Sequence, residues 1–139
     1  MKTYTDLYPR ICTFPALYRA YQLCCKGKRD KEYAIEFEQD LEGNLLTLHE
    51  ELVEEVWQPG AYSRFFVEDP KRRLINAPPF PNRVVHHVVT DVVLTPIWRP
   101  TFIFDTYACI KGRGTHVAVR RLQRFMRRHP EGSGYVLQL

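Results

Sequence analysis

Between residues 33 and 56 the chain repeats apolar side chains at steps of four or three: Tyr33, Phe37, Leu41, Leu45, Leu48, Leu52 and Val56. That spacing follows the 3.6-residue turn of an α-helix, so these side chains share one stripe that has to be buried against something. The sequence therefore predicts one long helix here. Its charges agree, because residues 32–55 hold nine acids and no Lys or Arg, and the acids fall mostly off the apolar stripe. Gly43 lies mid-helix in this reading, at a cost of about 1 kcal/mol relative to Ala that packing can offset.

The neighbouring segments suggest what covers the stripe. Phe14–Cys25 reads as a shorter helix that buries Phe14, Leu17, Tyr21 and either Cys24 or Cys25, and Lys26-Gly27-Lys28-Arg29 ends it. Trp57-Gln58-Pro59-Gly60 is a turn signal that closes the long helix. Residues 61–68, rich in aromatic and β-branched types, read as a strand, with Arg73–Ala77 as antiparallel partner and residues 69–72 at the hairpin tip. Pro78, Pro79 and Pro81 remove three backbone donors and stop the strand. Asn82 is then placed to cap a segment running to Ile97. Its valines (84, 85, 88, 89, 92 and 93) favour strands individually, yet they recur in pairs every four residues, which is a helical pattern. Residues 115–129 form a further amphipathic helix, with Ala118, Leu122, Phe125 and Met126 inward and Arg120, Arg124, Arg127 and Arg128 elsewhere. Residues 135–139 read as the start of a buried strand. The expected class is α+β, in three stretches: N-terminal helices over 1–58, a hairpin over 59–79, and helices leading to a first strand over 80–139.

Composition narrows the function. Of the 139 residues, 45% are hydrophobic and 13% aromatic, enough for a real core. No apolar run approaches the roughly 20 residues of a membrane helix, and Met1 is not followed by a secretory apolar stretch, so no membrane partner is expected. Cys12, Cys24, Cys25 and Cys109 show no metal-type spacing, and the vicinal pair is poorly placed for a disulfide, which favours a reduced, cytoplasmic setting. The net charge of +4 hides a sharper asymmetry, since residues 111–128 carry seven bases and no acid. Either one face meets an anion, or two solvated helix faces of opposite sign pair within the fold.

Individual candidates follow from side-chain chemistry. Lys71, Arg72 and Arg73 on a hairpin suit a phosphate clamp, Arg offering a bidentate fork and Lys a point charge; they equally suit a solvated hairpin whose charges guard its edge. His86 and His87 point about 100° apart on a helix and cannot easily chelate one ion, so one is expected to pack or hydrogen-bond inside and the other to face solvent. Lys111-Gly112-Arg113-Gly114-Thr115 sets glycines and amides at a helix start, where the dipole favours an anion. Arg120, Arg124 and Arg127 are spaced to track a backbone along one helix face. The sequence contains no Ser/His/Asp arrangement and no metal-ligand cluster. From residues alone it describes a basic α+β domain with an anion-binding cleft.

The order of these segments resembles the reverse transcriptases of the bacterial group II intron and diversity-generating retroelement type. The resemblance rests on Pro70-Lys71-Arg72-Arg73-Leu74-Ile75, then a Pro/aromatic bend, then Asn82-Arg83-Val84-Val85-His86-His87, where the family usually has Asp in place of Asn82. Pro96-Ile97-Trp98, Thr106-Tyr107-Ala108-Cys109, the loop 111–116 and Tyr135-Val136-Leu137 follow in the same order, so the likeness covers roughly residues 14–139. It implies part of a right-hand polymerase fold: a helical N-terminal region, an antiparallel fingers hairpin, and helices packing on the first palm strand. By the same resemblance, Lys71 and Arg73 contact the triphosphate of an incoming deoxynucleotide. Arg72 and Arg83 are implied contacts for template or nucleotide phosphates, Lys111 and Arg113 lie in a loop beside the template path, and Arg120, Arg124 and Arg127 meet RNA backbone, with RNA template and DNA primer as the implied partners.

The implied chemistry is phosphoryl transfer, with two magnesium ions activating a primer hydroxyl and stabilising the leaving pyrophosphate. Leu139 stands about where the first metal-binding Asp is expected, so the catalytic carboxylates are not in these residues. No cofactor is expected in them, and Mg2+ is expected for a full-length parent. The 139 residues alone are expected to bind phosphates without polymerising. The alternative is a stand-alone, non-catalytic RNA-binding or assembly module derived from such an enzyme. An unpaired edge at 135–139 is expected to drive self-association.

Overall fold

In the computed structural model, residues 3–128 are described. The chain divides into two compact units, Met1–Pro100 and Thr101–Leu139. The architecture is α+β, helices with one two-stranded antiparallel hairpin.

The first unit holds α1 (Tyr8–Ile11), α2 (Phe14–Cys25), α3 (Glu32–Gln39), α4 (Leu41–Val53), β1 (Ser63–Val67), β2 (Arg73–Ala77) and α5 (Phe80–Val88). A π-helical stretch, Val89–Leu94, and α6 (Thr95–Trp98) continue α5. The second helix has the expected bounds and buries Leu17, Ala20, Tyr21 and both Cys24 and Cys25. It packs on α4 and α5, and α3 packs on the same two helices. Leu45, Leu48 and Leu52 of α4 and Phe80, Val84, Val85 and Val88 of α5 complete one core. Aromatic rings bind its centre: Phe37 lies 4.9 Å from Phe80 and 6.0 Å from Tyr21, centroid to centroid. Cys12, Cys24 and Cys25 are buried free thiols, and Cys109 is an exposed one.

The single long helix expected over 33–56 is two helices. The chain breaks at Asp40, whose φ of −134° and ψ of 61° leave the helical region. Its carboxylate accepts the Gly43 backbone N–H at 3.1 Å and so caps α4, while the Asn44 side-chain amide donates to the Phe37 carbonyl across the break at 3.0 Å. The apolar stripe survives because a cap re-phases the turn without leaving it. Gly43 is thus not a mid-helix defect, since a Cβ there would overlap the Asp40 carboxylate. Gly43→Ala should leave urea stability nearly unchanged, because about 1 kcal/mol of helix propensity gained is offset by about 1 kcal/mol of cap lost. In an Asp40→Ala background the same substitution should stabilise by about 1 kcal/mol. Equal effects in the two backgrounds would rule out the cap as the cause.

The helix expected from a cap at Asn82 begins earlier. Pro79 occupies the N-cap and Pro81 sits in the first turn, where a missing N–H breaks no intrahelical bond. Asn82 is therefore inside α5 and 2% exposed. Its side-chain oxygen accepts the Gly60 N–H at 3.2 Å and its amide donates to the Gly60 carbonyl at 3.4 Å, tying the root of the hairpin to the helix. The valine pairs are helical, as their spacing predicts, but the turn widens before Pro96, and Thr95 N–H reaches back to Thr90 O. Proline removes one donor and its ring would meet the carbonyl four residues back, so a wider turn relieves the collision. The valines occupy the buried stripe, which leaves both His86 and His87 exposed; neither packs inside.

In the second unit, α7 (Thr115–Arg128) forms as expected, yet none of its described side chains is buried. Leu122 is 50% and Met126 58% exposed, against the expectation that both point inward. Residues 102–114, which precede the helix, are turns and bends. The predicted strand at 135–139 and His129 lie outside the described residues. Among the described residues, no helix is long and apolar enough to cross a membrane.

Candidate nucleic-acid interface

The expected cations occupy three settings. The first is the hairpin, where Ser63 pairs with Ala77, Phe65 with Ile75 and Val67 with Arg73. Alternation puts Phe65, Val67, Arg73 and Ile75 on one face and Arg64, Phe66, Leu74 and Asn76 on the other. Both faces are open, with Phe65 50% and Phe66 54% exposed. Arg72 is engaged within the hairpin: its guanidinium lies 4.3 Å above the Phe66 ring and 3.5 Å from the Glu68 carboxylate. Lys71 and Arg73 are exposed and make no side-chain hydrogen bond or ion pair among the described residues. The two residues that the resemblance assigns to a triphosphate are thus the uncommitted ones.

Arg83 is the second setting and differs from the expectation of a free template contact. It is half-buried, donates Nε–H to the Pro78 carbonyl at 2.9 Å, and stacks 4.4 Å above Tyr33. Those contacts brace the proline bend against α3.

The third setting lies wholly in the second unit. Phe104, Tyr107, Arg113, Val117, Arg120, Arg121 and Arg124 line a cleft of 380 Å³. Its organising residue is Arg121, which the sequence reading passed over. Arg121 grips Asp105 with two nitrogens, at 2.9 and 3.3 Å, and Tyr107 donates its hydroxyl to the same carboxylate at 2.7 Å. Arg113 donates to the Phe104 carbonyl at 2.5 Å and lies 4.6 Å from that ring, so the wall is fixed by its own loop. Arg120 and Arg124, one turn apart on α7, make no hydrogen bond or ion pair among the described residues. With Arg121 matched by Asp105, the cleft keeps three guanidiniums that no carboxylate meets. Lys111 and Arg127 are exposed and do not line it. The available signal was Asp105 itself, the one acid in a strongly basic stretch, sixteen residues before its partner.

The hydrogen bonds from Arg121 and then Tyr107 hold the Asp105 carboxyl below the usual carboxylate range. A carboxyl depressed in the folded state contributes stability above its unfolded pKa and loses that contribution as pH falls through the depressed value. Asp105→Asn should therefore lower the melting temperature of the second unit at neutral pH, with the gap to the native chain closing in strong acid. A gap independent of pH would show that the carboxylate charge is not what Arg121 needs. The hydroxyl of Tyr107, desolvated and bound to Asp105, is raised in turn.

Among the described residues, no three His, Cys, Asp or Glu side chains converge to hold a metal ion. No protein-family model and no curated protein matches the chain.

Proposed function

We propose that this chain is the nucleic-acid-binding fingers part of a reverse transcriptase, holding RNA phosphates in the arginine cleft and a deoxynucleoside triphosphate on the hairpin. The observation that carries it is the set of three guanidiniums in one cleft, Arg113, Arg120 and Arg124, that no carboxylate meets. Guanidinium forks match phosphate oxygens in charge and geometry, and arginines one turn apart sit about 6 Å apart along the helix axis, within reach of one strand. The partly exposed Phe104 ring at the cleft wall adds a face on which a base can stack. Lys71 and Arg73 on the projecting hairpin supply cations for a second phosphate group. The order of segments relates this arrangement to polymerase fingers.

The reading is tested by fluorescence anisotropy of labelled single-stranded RNA over a salt series. Three phosphate contacts give a log–log salt slope of about −2. Negligible binding at low salt, or binding indifferent to salt, would refute it.

A further inference from the structure

A second basic site lies in the first unit, lined by no hairpin residue. Lys28, Arg83, His86 and His87 surround a recess of 170 Å³ above Cys24, and no carboxylate lines it. Asp91 stands at its edge: its carboxylate lies 3.9 Å from His87 Nδ1, and its charge is felt at Cys24. The fold holds the cations in place. Arg83 is oriented by a backbone carbonyl and the Tyr33 ring, neither of which neutralises its charge. Lys28 follows Gly27, whose φ of +70° turns the chain, and its backbone is pinned by bonds to Cys25 O at 2.9 Å and from Lys31 N–H at 3.2 Å. The side chains of Lys28 and His86 make no hydrogen bond or ion pair among the described residues. Cys24 lies within reach of both cations: burial, Cys25 and Asp91 push its thiol up to about 11, while Arg83 and Lys28 pull it back.

We propose that this recess binds a single phosphate group, as inorganic phosphate or as the terminal phosphate of a nucleotide strand. Its volume falls below the roughly 300 Å³ at which pockets begin to enclose a drug-sized molecule, so it takes the phosphate and leaves the nucleoside outside. Arg83 supplies the directional fork, Lys28 the point charge, and the two imidazoles hydrogen bonds from the α5 side. None of these residues belongs to the arginine cleft, so the site stands or falls separately from RNA binding.

The test follows imidazole resonances by NMR while inorganic phosphate is titrated into the 139-residue protein at ionic strength held constant with chloride. His86 and His87 should shift saturably, and Lys28→Ala should weaken the apparent affinity by about tenfold. Arg10→Ala, at an exposed position in α1, should leave it unchanged. A 5′-phosphorylated dinucleotide that competes with phosphate, where its unphosphorylated form does not, places a strand end in the recess. Failure of both dinucleotides to compete assigns the recess to the free anion, and the phosphate site still stands. No saturable shift with phosphate, or a shift that Lys28→Ala leaves intact, overturns the proposal.

Discussion

Replacing Arg120 and Arg124 together with Ala lowers affinity for single-stranded RNA by roughly 5- to 30-fold and flattens the salt slope by about 1.4, near 0.7 for each lost phosphate contact. Both side chains are exposed and without a hydrogen-bond or ion-pair partner among the described residues, so their removal leaves the fold intact. Arg121→Ala separates binding from architecture. It strips Asp105 of its bidentate partner, leaves that carboxylate with the Tyr107 hydroxyl alone as hydrogen-bond partner, and costs both stability and affinity. Arg127→Ala, on the same helix but outside the cleft lining, has the smallest effect of the four. If all four substitutions lower affinity equally, the helix binds through net charge alone and the cleft geometry is irrelevant.

Leu45→Ala destabilises the first unit by about 2–5 kcal/mol, measured as a shift of the urea midpoint. Leu45 is 1% exposed among residues of α2, α4 and α5, so the missing methyl groups leave a cavity that surrounding helices cannot collapse into. Its neighbour Leu46 is 42% exposed, and Leu46→Ala costs about 0.5 kcal/mol or less. The contrast tests the helical phase directly. Near-equal costs at 45 and 46 would mean that α4 is turned on its axis relative to the core described above.

Much of the first unit follows from local spacing. The stripe from Phe37 to Leu52 and the bounds Phe14–Cys25 and Arg73–Ala77 are set by side-chain periodicity and turn residues within a few positions of one another. The valine pairs from 84 to 93 resolve as helix because burial on one stripe outweighs the strand propensity of each valine taken singly. The break at Asp40 is less visible, because a short polar residue is unexceptional on a solvated helix face until its carboxylate captures an amide three residues on. The end of α4 at Val53 is similar. Glu55 takes a left-handed φ of +59°, a conformation that composition gives no reason to expect of Glu.

Charge was the hardest property to read, since a cation in a sequence carries no mark of what it faces. Lys71, Arg72 and Arg73 are consecutive and chemically alike, but Arg72 lies over Phe66 and meets Glu68 while the other two stay unengaged. Arg83 resembles a free template contact in its motif, and in the fold its Nε is anchored to the Pro78 carbonyl. Arg120 and Arg121 are adjacent on one helix, and only the position of Asp105 makes one a structural anchor and the other an open binding group.

The sequence by itself determined where the helices and the hairpin lie and that cations gather in the hairpin and in residues 111–128, because these depend on periodicity and composition over short windows. Only the tertiary structure decided which cations are neutralised, braced or left open. That outcome depends on partners such as Pro78 for Arg83, five positions away, and Asp105 for Arg121, sixteen positions away, which folding brings within hydrogen-bond reach.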